Sequence, residues 1–163
     1  MVIDLRNDAE TIRVLLKSRV SAFLSIHGTV SRIEVGYSFE QNGFVSVHFD
    51  TRENAKPDGS WAQNIEGNSV ECPHWPAAFE AIEGGEVAFV LADGKQLSLA
   101  ADTDSEQLAA IIGMVVKKTL LDARDNGVFA SLPKAQRCEL AAEELEGRYG
   151  WPDYEDRGTE NLV

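Results

Sequence analysis

His48 and Asp50 are separated by a single residue, as are Cys72 and His74. In extended backbone such spacing puts both members of a pair on one side. Imidazole nitrogen, carboxylate oxygen and thiolate sulfur together form a donor set for zinc or another transition metal, which could activate water for hydrolysis. The same residues have a structural reading. Asp50 ends a strand, His48 suits an exposed sheet face, and Cys72-Pro73-His74-Trp75-Pro76 reads as a rigid, packed loop. No HExxH, GxSxG or paired-cysteine zinc motif is present, and Gly84-Gly85 lacks the context of a phosphate-binding loop. His27, just before Gly28, suits the negative end of a helix. The reading adopted is a non-enzymatic chain without cofactor or resident metal, and the alternative is a metal-assisted hydrolase using His48, Asp50, Cys72 and His74.

A second constellation is electrostatic. The 163 residues carry 15 Lys and Arg against 27 Asp and Glu, a net charge of −12. This balance opposes binding to nucleic acid or anionic membranes through a general basic surface and favours a basic protein partner. The stretch from Glu139 to Glu160 holds eight carboxylates and two basic residues, Arg148 and Arg157. Glu143, Glu144 and Glu146 are expected across the outer side of a last helix, and Asp153, Glu155 and Asp156 around Trp151 and Tyr154. Carboxylates would steer a partner and aromatic side chains would hold it. Trp61 and Trp75, in a turn-rich excursion from Thr51 to Pro76, complete the expected partner-binding set. A solvated helix face and a frayed tail are the alternative for the charge run.

The elements that must position these residues follow from periodicity. Ile12, Leu15, Leu16, Phe23 and Ile26 predict a helix from about Asn7 to Ile26, capped by Asn7. Ile33, Val35, Tyr37 and Phe39, then Val45, Val47 and Phe49, alternate with polar residues and predict a hairpin. A two-residue turn at Asn42-Gly43 would put the two apolar rows on opposite faces, so a three-residue loop is expected, with Tyr37 opposite Val47 and Gly43 left-handed. Ala77 to Ile82 suggests a short helix. Asp93-Gly94 predicts a second hairpin with Val90 opposite Leu97. Thr103-Asp104-Ser105-Glu106 reads as a capping box opening a helix that ends near Asn126-Gly127, in which Ile111, Ile112 and Val115 are expected as the deepest core. After Ser131-Leu132-Pro133 a last helix is expected, with Cys138, Ala141, Ala142 and Leu145 facing inward.

Together these predict an α+β domain over residues 1–150, an antiparallel sheet of two hairpins with helices mainly on one face, and an acidic carboxy-terminal extension over 151–163. Composition is that of a globular chain, at 44% apolar and 26% charged residues. No apolar run approaches the roughly 18 residues of a membrane span, and neither cysteine belongs to a CxxC, so a cytoplasmic protein is expected. Gly36-Tyr37-Ser38-Phe39, Asp50, Pro57-Asp58-Gly59-Ser60-Trp61, Gly127-Val128-Phe129, Leu132-Pro133-Lys134 and Cys138-Glu139-Leu140 resemble segments of the small immunity-type proteins encoded beside bacterial polymorphic toxins. That resemblance implies inhibition of a cognate toxin by direct binding. An acidic member would suit a basic toxin.

Overall fold

A computed structural model of the chain describes residues 2–24, 28–52, 67–82, 87–91, 93–99 and 104–152. Asp4 both ends strand β1 (Val2–Asp4) and caps helix α1 (Leu5–Ala22), its carboxylate accepting the Arg6 amide at 3.1 Å. The cap therefore lies three residues before the expected Asn7. Helix α1 buries Leu5, Asp8, Ala9, Ile12, Leu15, Leu16 and Val20, a stripe at helical spacing with one carboxylate in it.

Strands β2 (Val30–Ser38), β3 (Phe44–Asp50) and β4 (Ser69–Glu71) follow, then helix α2 (Trp75–Ile82) and strands β5 (Ala88–Val90) and β6 (Gln96–Ser98). Helix α3 (Ser105–Asp125), capped by Asp104, leads to β7 (Lys134–Glu144) and β8 (Gly150–Trp151). The larger sheet has the order β4-β3-β2-β7-β8 and the smaller β1-β5-β6. The fold is α+β. Its sheets are mixed, not antiparallel, because β2 pairs with β7 and β1 with β5 in parallel.

The expected last helix is strand β7. Cys138, Leu140 and Ala142 are buried, while Glu139 and Glu143, between them and beyond, are half-exposed. That alternation suits a strand paired beside β2 in the sheet. Tertiary pairing overrides the helix propensity of an alanine- and glutamate-rich segment.

Both hairpins form with registers other than those expected. Tyr37 pairs with Val45 and Val35 with Val47, two residues from the predicted pairing. Faces survive a slip of two, so the apolar rows still align. Asn42 and Gly43 both have positive φ, 56° and 68°, and the Phe44 amide donates to the Gln41 carbonyl at 3.0 Å, which makes Asn42-Gly43 the centre of a tight turn at the loop tip. Phe39, instead of opposing Val45, packs against Phe79 of α2 with ring centroids 5.2 Å apart. In the second hairpin Phe89 opposes Leu97, one residue from expectation. Leu91 accepts from Gly94 and donates to Lys95, so the loop has three residues with Gly94 left-handed.

The three helices among the described residues connect to one face of the larger sheet. Tyr37 Oη donates to Ala109 O of α3 at 2.6 Å, Phe39 meets α2, and Phe49 meets Phe23 at the end of α1. Leu5, Ile12 and Leu16 are as deeply buried as Ile112 and more so than Ile111 and Val115, which corrects the expected ranking of the helices. No helix among the described residues is long and apolar enough to cross a membrane.

Candidate functional site

The face of the larger sheet turned away from the helices is polar. Every second residue of its central strands projects there: Arg32, Glu34, Gly36 and Ser38 from β2, Phe44, Ser46, His48 and Asp50 from β3, and Glu139, Ala141 and Glu143 from β7. Register places Arg32 beside Glu139 and Asp50, and Glu34 beside His48. The Arg32 guanidinium joins three carboxylates: Nε to Glu34 at 3.0 Å, Nη1 to Glu139 at 2.9 Å, and Nη2 to Glu143. The Glu34, Glu139 and Glu143 side chains remain 28%, 36% and 38% exposed. One cation therefore orders three anions at a solvent-facing surface. Glu71 of β4, opposite Phe44, adds a further exposed carboxylate.

The sequence candidates are divided between the two sides of this sheet. His48 lies on the polar face, its Nε2 2.9 Å from Ser46 Oγ. Asp50 accepts from Arg52 on the same face. Cys72 and His74 instead meet Asp8 of α1. His74 Nε2 donates to Asp8 Oδ2 at 2.8 Å, and Trp75 Nε1 donates to the same oxygen at 3.1 Å. Burial pushes the Cys72 thiol well above its ordinary range, and the adjacent Asp8 charge adds to the shift, so the sulfur is a poor nucleophile at neutral pH. Burial raises the Cys138 thiol to about 11. Among the described residues no three His, Cys, Asp or Glu side chains gather as a metal site, so the four-residue set of the alternative hydrolase reading does not assemble.

Asp8 is the polar residue that sequence reasoning missed. It falls on the apolar stripe of α1, four residues before Ile12, and a carboxylate in such a stripe signals a buried partner. With two nitrogen donors and the thiol around it, Asp8 ties the first helix to the turn before α2.

The expected partner-binding residues also separate. Trp75 is fully buried and packs edge-on against Tyr37, with ring centroids 6.1 Å apart. Trp151 is 2% exposed, pairs in strand β8 with Ala142, and lies under the Lys117 ammonium. Both belong to the core and present no docking surface. Glu144 is interior as well, because an odd-to-even step along β7 turns it from the polar face toward the helices. It meets Arg148 Nη2 at 3.0 Å. Burial raises the Glu144 carboxyl, and its hydrogen bond with Glu146 raises it further while lowering Glu146. Glu146 accepts from Ser38 and Gln41. Of the three expected glutamates, Glu143 projects from the polar face, Glu146 reaches that face from the following turn and stays exposed, and only Glu144 turns inward. Trp61, Asp153, Tyr154, Glu155 and Asp156 lie outside the described residues.

No protein-family model, curated protein or solved structure matches the chain. A sheet face with carboxylates held in place by an internal arginine can receive cationic side chains without first ordering its own. Such preorganisation lowers the entropic cost of association.

Proposed function

We propose that the protein is a non-enzymatic binding protein whose polar sheet face docks a basic protein, in keeping with the resemblance to immunity-type inhibitors of toxins. The observation that carries this reading is the group of Glu34, Glu139 and Glu143 around Arg32, three carboxylates held by one guanidinium with their side chains still partly exposed. A chain of net charge −12 attracts cations over its whole surface, but a specific complex needs fixed geometry. Arg32 supplies it by spanning strands β2 and β7. A partner's lysines or arginines would share the outward carboxylate oxygens, while the long-range field accelerates encounter. The partner-binding surface thereby moves from the carboxy-terminal region to the sheet.

Copurification from native cells, followed by association kinetics with the purified basic partner, tests the proposal. Replacing Glu34, Glu139 and Glu143 together with glutamine should lower the on-rate at low salt by about tenfold and flatten its salt dependence. An unchanged rate and slope would remove this face from the interface.

A further inference from the structure

Gly36 leaves a hollow on the polar face, in register with Ser46 on one side and Glu143 on the other. Leu145 folds into it. Its Cδ2 lies 3.1 Å from where a Gly36 Cβ would stand, and Ser46 Oγ lies 3.3 Å from the same point. Leu145 nevertheless remains 48% exposed. The other large apolar side chains exposed among the described residues, Val2, Val14, Leu24 and Met114, belong to β1, to the helices and to the end of α1. Leu145 is thus the one placed on this face.

Its backbone is held from several directions. The Leu145 amide donates to Tyr37 O at 2.9 Å, and Glu144 N donates to Tyr149 O at the same distance. Gly147, at φ 83°, donates to Glu144 O. Arg148 grips the turn from beneath, bonding Glu40 at 2.6 Å and Glu144 at 3.0 Å, with its guanidinium 4.4 Å from the Phe39 ring centroid. A turn whose backbone is already so constrained has little backbone freedom to lose when its apolar side chain is covered, which lowers the cost of binding there.

Resting on the docking reading above, we infer that Leu145 is the apolar anchor of the sheet face, taking the methylene arm of a partner lysine or arginine whose cation reaches Glu34 or Glu143. Glu143 stands directly beside Gly36 on β7, and Glu34 lies two residues back along β2 on the same face. The amphipathic lysine or arginine side chain matches this arrangement, since its stem seeks apolar surface while its head seeks carboxylate. A purely acidic face would instead hold any small cation equally well. The chemistry required of the partner is therefore a basic side chain with a long aliphatic arm, presented from a protein surface.

The test uses the full chain with labelled leucine methyls and backbone amides, titrated with hexalysine and followed by NMR. Leu145 methyls and the Glu34, Glu139 and Glu143 amides should shift together. Leu145→Ala should weaken hexalysine binding, read at the Glu143 amide, by about threefold to tenfold, the scale expected for losing half a leucine side chain of contact. Leu145→Met should restore most of it and guards against an effect of folding. If the glutamate amides shift while the Leu145 methyls stay still and Leu145→Ala binds as tightly as the original, the anchor is overturned and the acidic docking face stands. If none of the three glutamate amides responds, the docking face is overturned and the anchor with it.

Discussion

Gly113, on the buried side of α3, sets helix propensity against packing, and its replacement by alanine reads out which wins. In an exposed helix the change would stabilise by about 1 kcal/mol. Here a Cβ would stand 2.3 Å from two carbons of the Tyr149 ring and 2.7 Å from Tyr37 Oη, whereas carbon atoms in contact prefer roughly 3.5 to 4.0 Å. Tyr149 must retreat by more than an ångström from a site where it is 6% exposed, and Tyr37 must release or bend its 2.6 Å bond to Ala109 O. Overpacking costs about 1 to 3 kcal/mol, and loss of a buried hydrogen bond adds about 1. Against the propensity gain, a net destabilisation of about 2 kcal/mol is expected, a fall in melting temperature of roughly 4 to 8 °C for a domain of this size. Urea unfolding should show a lower midpoint with unchanged slope. Pairing Gly113→Ala with Tyr149→Val should recover part of the loss, giving a coupling energy above about 0.5 kcal/mol. A Gly113→Ala protein that melts higher than the original would refute the packing argument.

Four other substitutions follow from the geometry. Asp8→Ala removes the acceptor of His74 and Trp75 and leaves the buried indole N–H unpaired, so urea unfolding should report a loss of about 2 to 4 kcal/mol, and a loss under 0.5 would exclude the tie between α1 and the α2 turn. Gly43→Ala sets a Cβ 1.9 Å from Cys72 O at φ 68°, whereas Gly94→Ala meets open space at φ 82°; thermal melts should show the first costing at least about 2 kcal/mol more than the second. Glu144 titrates above its ordinary 4.5 when folded, so its contribution to stability is present below that pH and is lost as pH rises through the raised folded value. Glu144→Gln cannot undergo that loss; its stability relative to the original protein should improve in urea titrations from pH 4.5 up to the raised folded value and then level off, and a flat or declining difference across that window would show that burial does not oppose ionisation there.

Sequence periodicity made the two long helices and the faces of β2 and β3 legible, because Ile12, Leu15 and Leu16, Leu108, Ile111 and Ile112, and the alternating valines each satisfy one period only. Register was not legible in the same way. Moving Tyr37 from Val47 to Val45 leaves every side chain on its face, and the choice depends on Phe39 finding Phe79 some forty residues later. Strand β7 escaped because Ala141, Ala142, Glu143 and Glu144 suit a helix locally, while the partner that makes them a strand is β2. The same distance hid the sheet-face site. Arg32 and Glu34 lie together in sequence, but Glu139 and Glu143 join them only through parallel pairing. Of the acidic residues singled out, Glu143 keeps an outward position, while Glu144 turns inward because strand geometry alternates sides where a helix would have kept neighbours together.

The central position of β7 also constrains how the chain is born. Arg32 meets Glu139 across 107 residues, so the hydrogen-bonding edge of β2 that β7 occupies stays open until the chain has been made through residue 144. Until then the nascent chain holds an apolar strand with no neighbour on that side. Folding of the larger sheet is accordingly a post-emergence event with high contact order. A chain that stops at Pro133 keeps Ile33, Val35 and Tyr37 beside an unpaired edge, the arrangement that invites strand exchange between molecules. Loss of β7 would convert a covered sheet into an adhesive one, and strand β7, itself covered by β8, acts as the closing stave that prevents it.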